Sequence, residues 1–308
     1  MAEVLHDEID FAVYYRETEP RVKVKRASDF ADLLAAKFLP KVEGARQPQM
    51  FSTKLRGKLE FRPGEVTIWA GYNGHRKSMF TGQVALDLCC QRERVLICSY
   101  EMTPADTLAR MAKQVFGVER PALVSLERFN TWSNNRLWLF DHSGRIKPDA
   151  QMAVLRYFAQ ELKGTQVFID SMMMVCASEE SMDEQKQFVT DLVRSVQEFG
   201  LHTHLVAHCR KPASGDESRP PTKYDIRGSA AITDQCHNVC MVWSNKAKEQ
   251  ALSQGDLSKR GEPDNMVTVE KQRNGAWEGR VKLWRDDASM RFVDTEGFVE
   301  PYRLEVEA

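Results

Sequence analysis

The chain lacks a strong charge of either sign, a long apolar run and any zinc-type cysteine spacing. Of its 308 residues, 43 are Lys or Arg and 44 are Asp or Glu, giving a formal net charge of −1. That balance does not single out a basic nucleic-acid-binding protein. It does not exclude one, because a ring or channel can hold a polyanion with a few cations on one surface while its outside stays neutral. No run reaches the ~18 apolar residues that a membrane helix needs. The opening "MAEVLHDEIDF" carries acids where a secretion signal has an apolar centre. No membrane association is expected, and the expected location is cytoplasmic. The seven cysteines, Cys89, Cys90, Cys98, Cys176, Cys209, Cys236 and Cys240, include no CxxC pair and lie mostly in apolar stretches. They read as buried, reduced thiols of a reducing compartment. Cys236, His237 and Cys240 are near enough to be metal ligands, but no second ligand pair follows them. Repeats and low-complexity segments are also absent.

What is present is an ordinary hydrophobic fraction, 42%, and enough chain for one large α/β domain or two small ones. Residues 1–50 stand apart as an arm. "RVKVKRASDFADLLAAKFLPK" holds a basic cluster, then a short amphipathic helix over Ser28–Leu39 that must pack on the main domain or on a neighbouring subunit. Residues 51–295 form the main domain, and residues 296–308 an acidic tail. Within the main domain, strand and helix alternate. "GEVTIWAG", "RVLICSYE", "RLWLFD", "TQVFIDSMMM" and "HTHLVAHC" read as strands. "KSMFTGQVALDLCCQ", "PADTLARMAKQVFG", "DAQMAVLRYFAQELKG" and "DEQKQFVTDLVRSVQEFG" read as helices, the second with Pro104 in its first turn and the last ending at Gly200. This alternation predicts a mostly parallel sheet covered on both faces. After Cys209 a loop of about nineteen residues, rich in Pro, Gly, Ser and charge, is long enough to be functional. "NVCMVW", "NMVTVEKQ" and "GRVKLW" follow as β segments that extend the sheet at one edge.

"GYNGHRKS" matches G-x-x-x-x-G-K-[ST] at Gly71, Lys77 and Ser78 and departs from it at Arg76, where glycine is expected. An apolar strand leads into Gly71 and a helix starts at Lys77, the context in which the motif works. Loop residues Gly71, Asn73, Gly74, His75, Arg76, Lys77, Ser78 and Met79 would cradle the phosphates of ATP, with Lys77 on the β/γ-phosphates and Ser78 on Mg²⁺. Three other strands end in Glu101, Asp170 and His208. Each is commonplace alone, since acids at strand ends are frequent and a histidine there is more often only hydrogen-bonded. Together they converge on the edge where α/β sheets bind ligands. Asp170 suits a Mg²⁺ acid, Glu101 a base for the attacking water, and His208 a γ-phosphate sensor.

The ordered set "RPGEVTIWAGYNGHRKS", "SYEMTPADTLARM", "VFIDSMMM", "HLVAHCRKP", "DIRGSAAITDQCHNVCMV" and "EKQRNGAWEGRVKLW" resembles the RecA-type core of replicative hexameric DNA helicases, the DnaB/Twinkle-like family. The resemblance covers about residues 50–295. It implies a RecA-like P-loop NTPase fold with antiparallel strands added near the C-terminus. It implies Glu101 as catalytic base, Asp170 as the Mg²⁺ acid and His208 as sensor. Lys271 and Arg273 of "KQRNG" would reach a neighbouring subunit's ATP, whereas alone they read as a solvated hairpin end. Single-stranded DNA would meet loops facing a central channel, with Arg210, Lys211, Lys223 and Arg227 as the contacting cations. The implied assembly is a homo-oligomeric ring, a hexamer, with the Ser28–Leu39 helix packing on the next subunit. No primase residues are present, so a separate primase or polymerase is the implied partner. Two other readings stay open: a RecA/KaiC-like DNA-stimulated ATPase without helicase activity, and a ring or loader that binds ATP weakly because of Arg76.

Overall fold

The fold is described from a computed structural model covering residues 3–6, 27–31, 47–176, 182–212, 215–228, 230–297, 299 and 301–305. Most of the expected Ser28–Leu39 helix lies outside these residues, which include only a 3₁₀ turn at Ala27–Phe30.

Among the described residues, ten strands form one sheet: β1 (Glu3–His6), β2 (Val66–Gly71), β3 (Val95–Ser99), β4 (Leu137–Asp141), β5 (Gln166–Asp170), β6 (His202–His208), β7 (Asn238–Ser244), β8 (Asn265–Gln272), β9 (Gly279–Asp286) and β10 (Arg291–Val293). Their order is β1-β4-β3-β5-β6-β2-β7-β8-β9-β10. The first seven in that order run parallel; β8, β9 and β10 add on antiparallel to β7 and to one another. The mostly parallel sheet with an antiparallel C-terminal extension is the expected architecture.

Strand β2 lies at the centre and is buried along its whole length. Its side chains alternate between two cores, as the pleat requires. Val66, Ile68 and Ala70 join one apolar cluster with Leu155, Phe158, Phe188 and Leu192. Trp69 joins the other with Phe80, Val84, Met111 and Trp132. The first cluster is covered by α4 (Pro148–Gln160) and α6 (Met182–Phe199). The second is covered by α1 (Lys77–Cys90), α2 (Pro104–Phe116) and α3 (Leu123–Ser133). Helix α2 starts where its sequence says it should: Thr103 Oγ1 accepts from the Asp106 amide at 3.1 Å, Pro104 opens the first turn, and Gly117 closes the helix at φ 68°. Three further helices, α5 (Met172–Val175), α7 (Ala230–Gln235) and α8 (Lys246–Ser253), connect strands.

Beside Trp69 the core holds a polar ladder. The Trp69 indole donates to His204 Nδ1 at 3.1 Å, so His204 carries its proton on Nε2, facing Gln166 Oε1 at 3.2 Å. His202 bonds Thr67 Oγ1 at 2.9 Å and the Arg62 carbonyl at 2.7 Å. Full burial pushes His202 down to about 3, so both rings are neutral partners rather than charges.

Cys236 and Cys240 belong to opposite cores, one on each face of the sheet, and His237 Nδ1 accepts from the Val66 amide. The three do not converge on a metal, and no metal-binding cluster of three or more His, Cys, Asp or Glu occurs among the described residues. All seven cysteines are free, and burial pushes the thiols of Cys90, Cys98, Cys209 and Cys236 up to about 12. Residues 301–305 lie against the α2–α3 face, where Leu304 is buried and its carbonyl accepts from Arg128. No helix among the described residues is long and apolar enough to cross a membrane.

Candidate nucleotide site

The loop from β2 to α1 is fixed by its backbone. A Cβ on Gly71 would lie 2.2 Å from the Val242 carbonyl of β7, so the close approach of β2 and β7 requires glycine there. Gly74 turns at φ +75°. Arg76 occupies the left-handed region, φ 60° and ψ 29°, as the residue before α1. This is the conformation that a glycine adopts freely and other residues adopt at a cost of about 1–2 kcal/mol. The arginine is held by what it meets: its guanidinium binds Glu249 Oε1 at 2.5 Å. Lys246 and Arg285 bind the same carboxylate at 3.0 Å each. Burial alone would raise the Glu249 carboxyl, but hydrogen bonds from Arg76, Lys246 and Arg285 pull it down to about 2.

Lys77 is buried and donates to the carbonyls of Gly71 and Tyr72 at 3.1 and 2.9 Å. Burial lowers its pKa, and Asp170 pulls the other way. Asp170 is also buried; burial raises its carboxyl against a hydrogen bond from Ser78. Glu101 is half exposed and accepts from Ser171 Oγ at 3.3 Å. His208 Nε2 lies 3.9 Å from Glu101 Oε1, beyond a hydrogen bond. Burial, aided by Lys77 and Arg227, pushes His208 down to about 4, so its ring is neutral at pH 7. Its Nδ1 is buried with no hydrogen-bond partner among the described residues.

These groups face one cleft of about 410 Å³, lined by Gly74, Arg76, Lys77, Ser78, Met79, Glu101, Asp170 and His208. A triphosphate fits this chemistry: its oxygens would offset the charge of a Lys77 ammonium that burial disfavours. The Ser78 hydroxyl beside the Asp170 carboxylate is a donor set suited to Mg²⁺, which keeps waters and phosphate oxygens as its remaining ligands. Asn73 is exposed at the loop tip, and the His75 ring is buried, bonded to β7 and to Glu217. Arg110 of α2 also lines the cleft beside Asp170, a residue that motif reading does not reach. The signal for it is helical spacing: Arg110 lies three residues after the buried Thr107 and beside the buried Met111.

Lys271 and Arg273 are elsewhere. Lys271 Nζ donates to the carbonyls of Thr233 and Asp234 at 2.8 Å each, and Arg273 to that of Asp234 at 2.7 Å. The Arg273 amide bonds the carbonyl of His237, whose own amide bonds Val66 at the start of β2. The phosphate loop follows the other end of β2, after about 16 Å of strand. Arg210, Lys223 and Lys271 share a second cleft with the exposed Tyr224. Lys211 is exposed. Arg227 instead sits at the nucleotide edge, its amide bonded to the His208 carbonyl.

Residues 40–214, more than half of the chain, match the family described as an AAA domain. The whole fold is similar to that of a DnaB-like replicative helicase whose structure was solved together with a study of its interactions with primase: TM-score 0.73 at 14% identity, over 88% of this chain and 69% of that one. It is also similar to the ATPase domain of G40P, TM-score 0.71 at 15% identity, over 89% of this chain and 100% of that one. The fold is therefore the RecA-type core found in replicative helicases.

Proposed function

The chain belongs to the AAA domain family, and from that premise we propose that it is an ATP-dependent DNA helicase that assembles as a hexameric ring and moves along single-stranded DNA. The reading rests on one observation: Lys77, Ser78, Glu101, Asp170 and His208 face a single cleft, whereas Lys271 and Arg273 lie at the far end of the sheet, where they cannot serve their own subunit. A site so divided is complete only when another copy supplies the missing cations.

In this reading Lys77 and the loop amides bind the phosphates of ATP. Ser78 and Asp170 hold Mg²⁺, which when bound draws charge off the phosphate oxygens. Glu101, half exposed at the cleft, takes the proton from the attacking water. Neutral His208, whose Nε2 lies 3.9 Å from Glu101 Oε1 at the cleft, bonds the γ-phosphate through that nitrogen. Lys271 and Arg273 of the adjacent subunit stabilise charge as the phosphoryl group leaves. Arg210, Lys211, Lys223 and Arg227 contact the DNA backbone, which suits a motor indifferent to sequence. Priming or synthesis falls to a separate primase or polymerase. A cytoplasmic setting agrees with the free thiols.

One observation favours a second reading. Arg76 stands in the left-handed region where the motif has glycine, and its guanidinium is paired with Glu249, which suits a ring or loader that binds ATP weakly. Hydrolysis of Mg²⁺·ATP with and without single-stranded DNA, followed by unwinding of a forked duplex, separates the readings. The helicase predicts DNA-stimulated hydrolysis and strand separation. Hydrolysis without unwinding leaves a RecA/KaiC-like ATPase. No hydrolysis under either condition overturns the proposal in favour of the weak binder.

A further inference from the structure

His75 sits in the middle of the phosphate loop, yet it is fully buried. The Ser244 amide at the end of β7 donates to its Nδ1 at 3.1 Å. That nitrogen therefore presents a lone pair, and the proton is on Nε2. Nε2 faces Glu217 Oε2 at 3.0 Å, a hydrogen bond to a charged acceptor and so one of the stronger kind. The backbone of Glu217 is held as well: its carbonyl accepts from the Trp243 indole at 2.8 Å.

Glu217 belongs to the long loop after β6. The far end of that loop is fastened to the strand carrying His208: Arg227 donates its amide to the His208 carbonyl, and Arg210 to the Asp225 carbonyl. One excursion of chain is thus tied to the nucleotide cleft at two places, to the phosphate loop through Glu217 and to the sensor strand through Arg227. The loop also carries cations assigned above to DNA.

We propose that Glu217 is a positioning residue, a latch that clips the loop over residues 215–228 to the phosphate loop through His75, so that nucleotide in the cleft and DNA on the loop bias the same contact. The proposal rests on the nucleotide-site reading above and adds the residue through which the two sites communicate. Ligands that shift one contact in this way must affect each other's affinity reciprocally, and such coupling is typically about 5–150-fold.

The test uses the full chain, Glu217→Ala and Glu217→Gln. Amide hydrogen exchange over residues 215–228 is followed without nucleotide and with Mg²⁺ and a non-hydrolysable ATP analogue, whose affinity is measured in parallel. In the parent, the analogue should change exchange in this segment. In Glu217→Ala the change should vanish, while the analogue still binds and thermal stability is nearly kept. Glu217→Gln, whose amide oxygen still accepts from Nε2, should restore part of the response. A second readout is the ratio of single-stranded DNA affinities with the analogue and with ADP, which should fall in Glu217→Ala to below about twofold from the parent's typical coupling range. Loop exchange in Glu217→Ala that responds as in the parent overturns the latch. So does a parent that binds the analogue with no response in the loop, leaving the nucleotide reading intact. A parent that binds no nucleotide overturns both.

Discussion

The two edges of one sheet treat their cations in opposite ways. At the C-terminal edge of the parallel strands, Lys77 is buried on backbone carbonyls beside a buried Asp170 and a His208 with an orphaned nitrogen. At the opposite edge, Lys271 and Arg273 are bonded to the last carbonyls of α7, where a cation is favoured by the helix dipole. The first arrangement is costly unless a ligand completes it; the second is already satisfied within its own subunit. In the proposed reading, the first edge is where ligand would complete the site, and the second holds the cations offered to a neighbouring copy.

Removing the ammonium at the unfinished edge should have the largest effect: Lys77→Ala is expected to leave no measurable ATP hydrolysis and little binding of a fluorescent ATP analogue. Arg273→Ala sharpens the comparison. If its guanidinium acts on a neighbour's phosphate, turnover should drop by about 10³–10⁵ with nucleotide affinity kept, and the variant should depress the rate of parent subunits mixed with it. If it only caps α7, the thermal midpoint should shift by an amount matching no more than about 1 kcal/mol while turnover holds. That outcome would break the contrast between the edges.

A third expectation concerns the core between them. His202 is held near 3 in the folded chain, against ~6.5 when unfolded. A lowered histidine pKa means that the unfolded state takes up protons that the folded state refuses. The stability in question is fully present above about pH 6.5 and is lost as pH falls from there toward 3. Melting followed between pH 8 and 4 should show a falling midpoint below about 6.5, and His202→Gln should flatten that slope. Glu249 acts in the same direction in a lower window, from its usual value of 4.5 down to about 2. The smallest effect is expected of Arg76→Gly. It relieves about 1–2 kcal/mol of left-handed strain and removes one of three cations from Glu249, so the net stability change measured by denaturant should stay within about 1 kcal/mol.

Strands β2 to β7 were legible because each is a short apolar run; β1 was not, because its four residues, EVLH, lie in the arm that was read as separate from the sheet. The helices capped by Thr103 with Pro104, or ended by Gly200, were legible for their punctuation. Helix α3 was not, because Leu123 and Val124 stand exposed and Ala122 caps nothing. Helix α8 was also missed; its residues are largely polar, and it is held by Asn245 at its start and by ion pairs to Glu249. Motif spacing gave the phosphate loop but could not tell that Arg76 would face an acid 173 positions later. The partners of His75 were beyond reach for the same reason: neither Ser244 nor Glu217 is near it in the chain.

The seven buried or half-buried thiols have a practical consequence. With the thiols of Cys90, Cys98, Cys209 and Cys236 pushed up to about 12 and that of Cys176 to about 11, each is ionised at pH 7 to no more than about one part in 10⁴, and the thiolate is what alkylates. Alkylation of the folded chain by a maleimide is therefore expected to be slow. A single cysteine placed at an exposed position, such as Tyr224, could carry a fluorophore or spin label without first stripping the protein of its own sulfur, and distances between copies could be measured in an otherwise unaltered molecule.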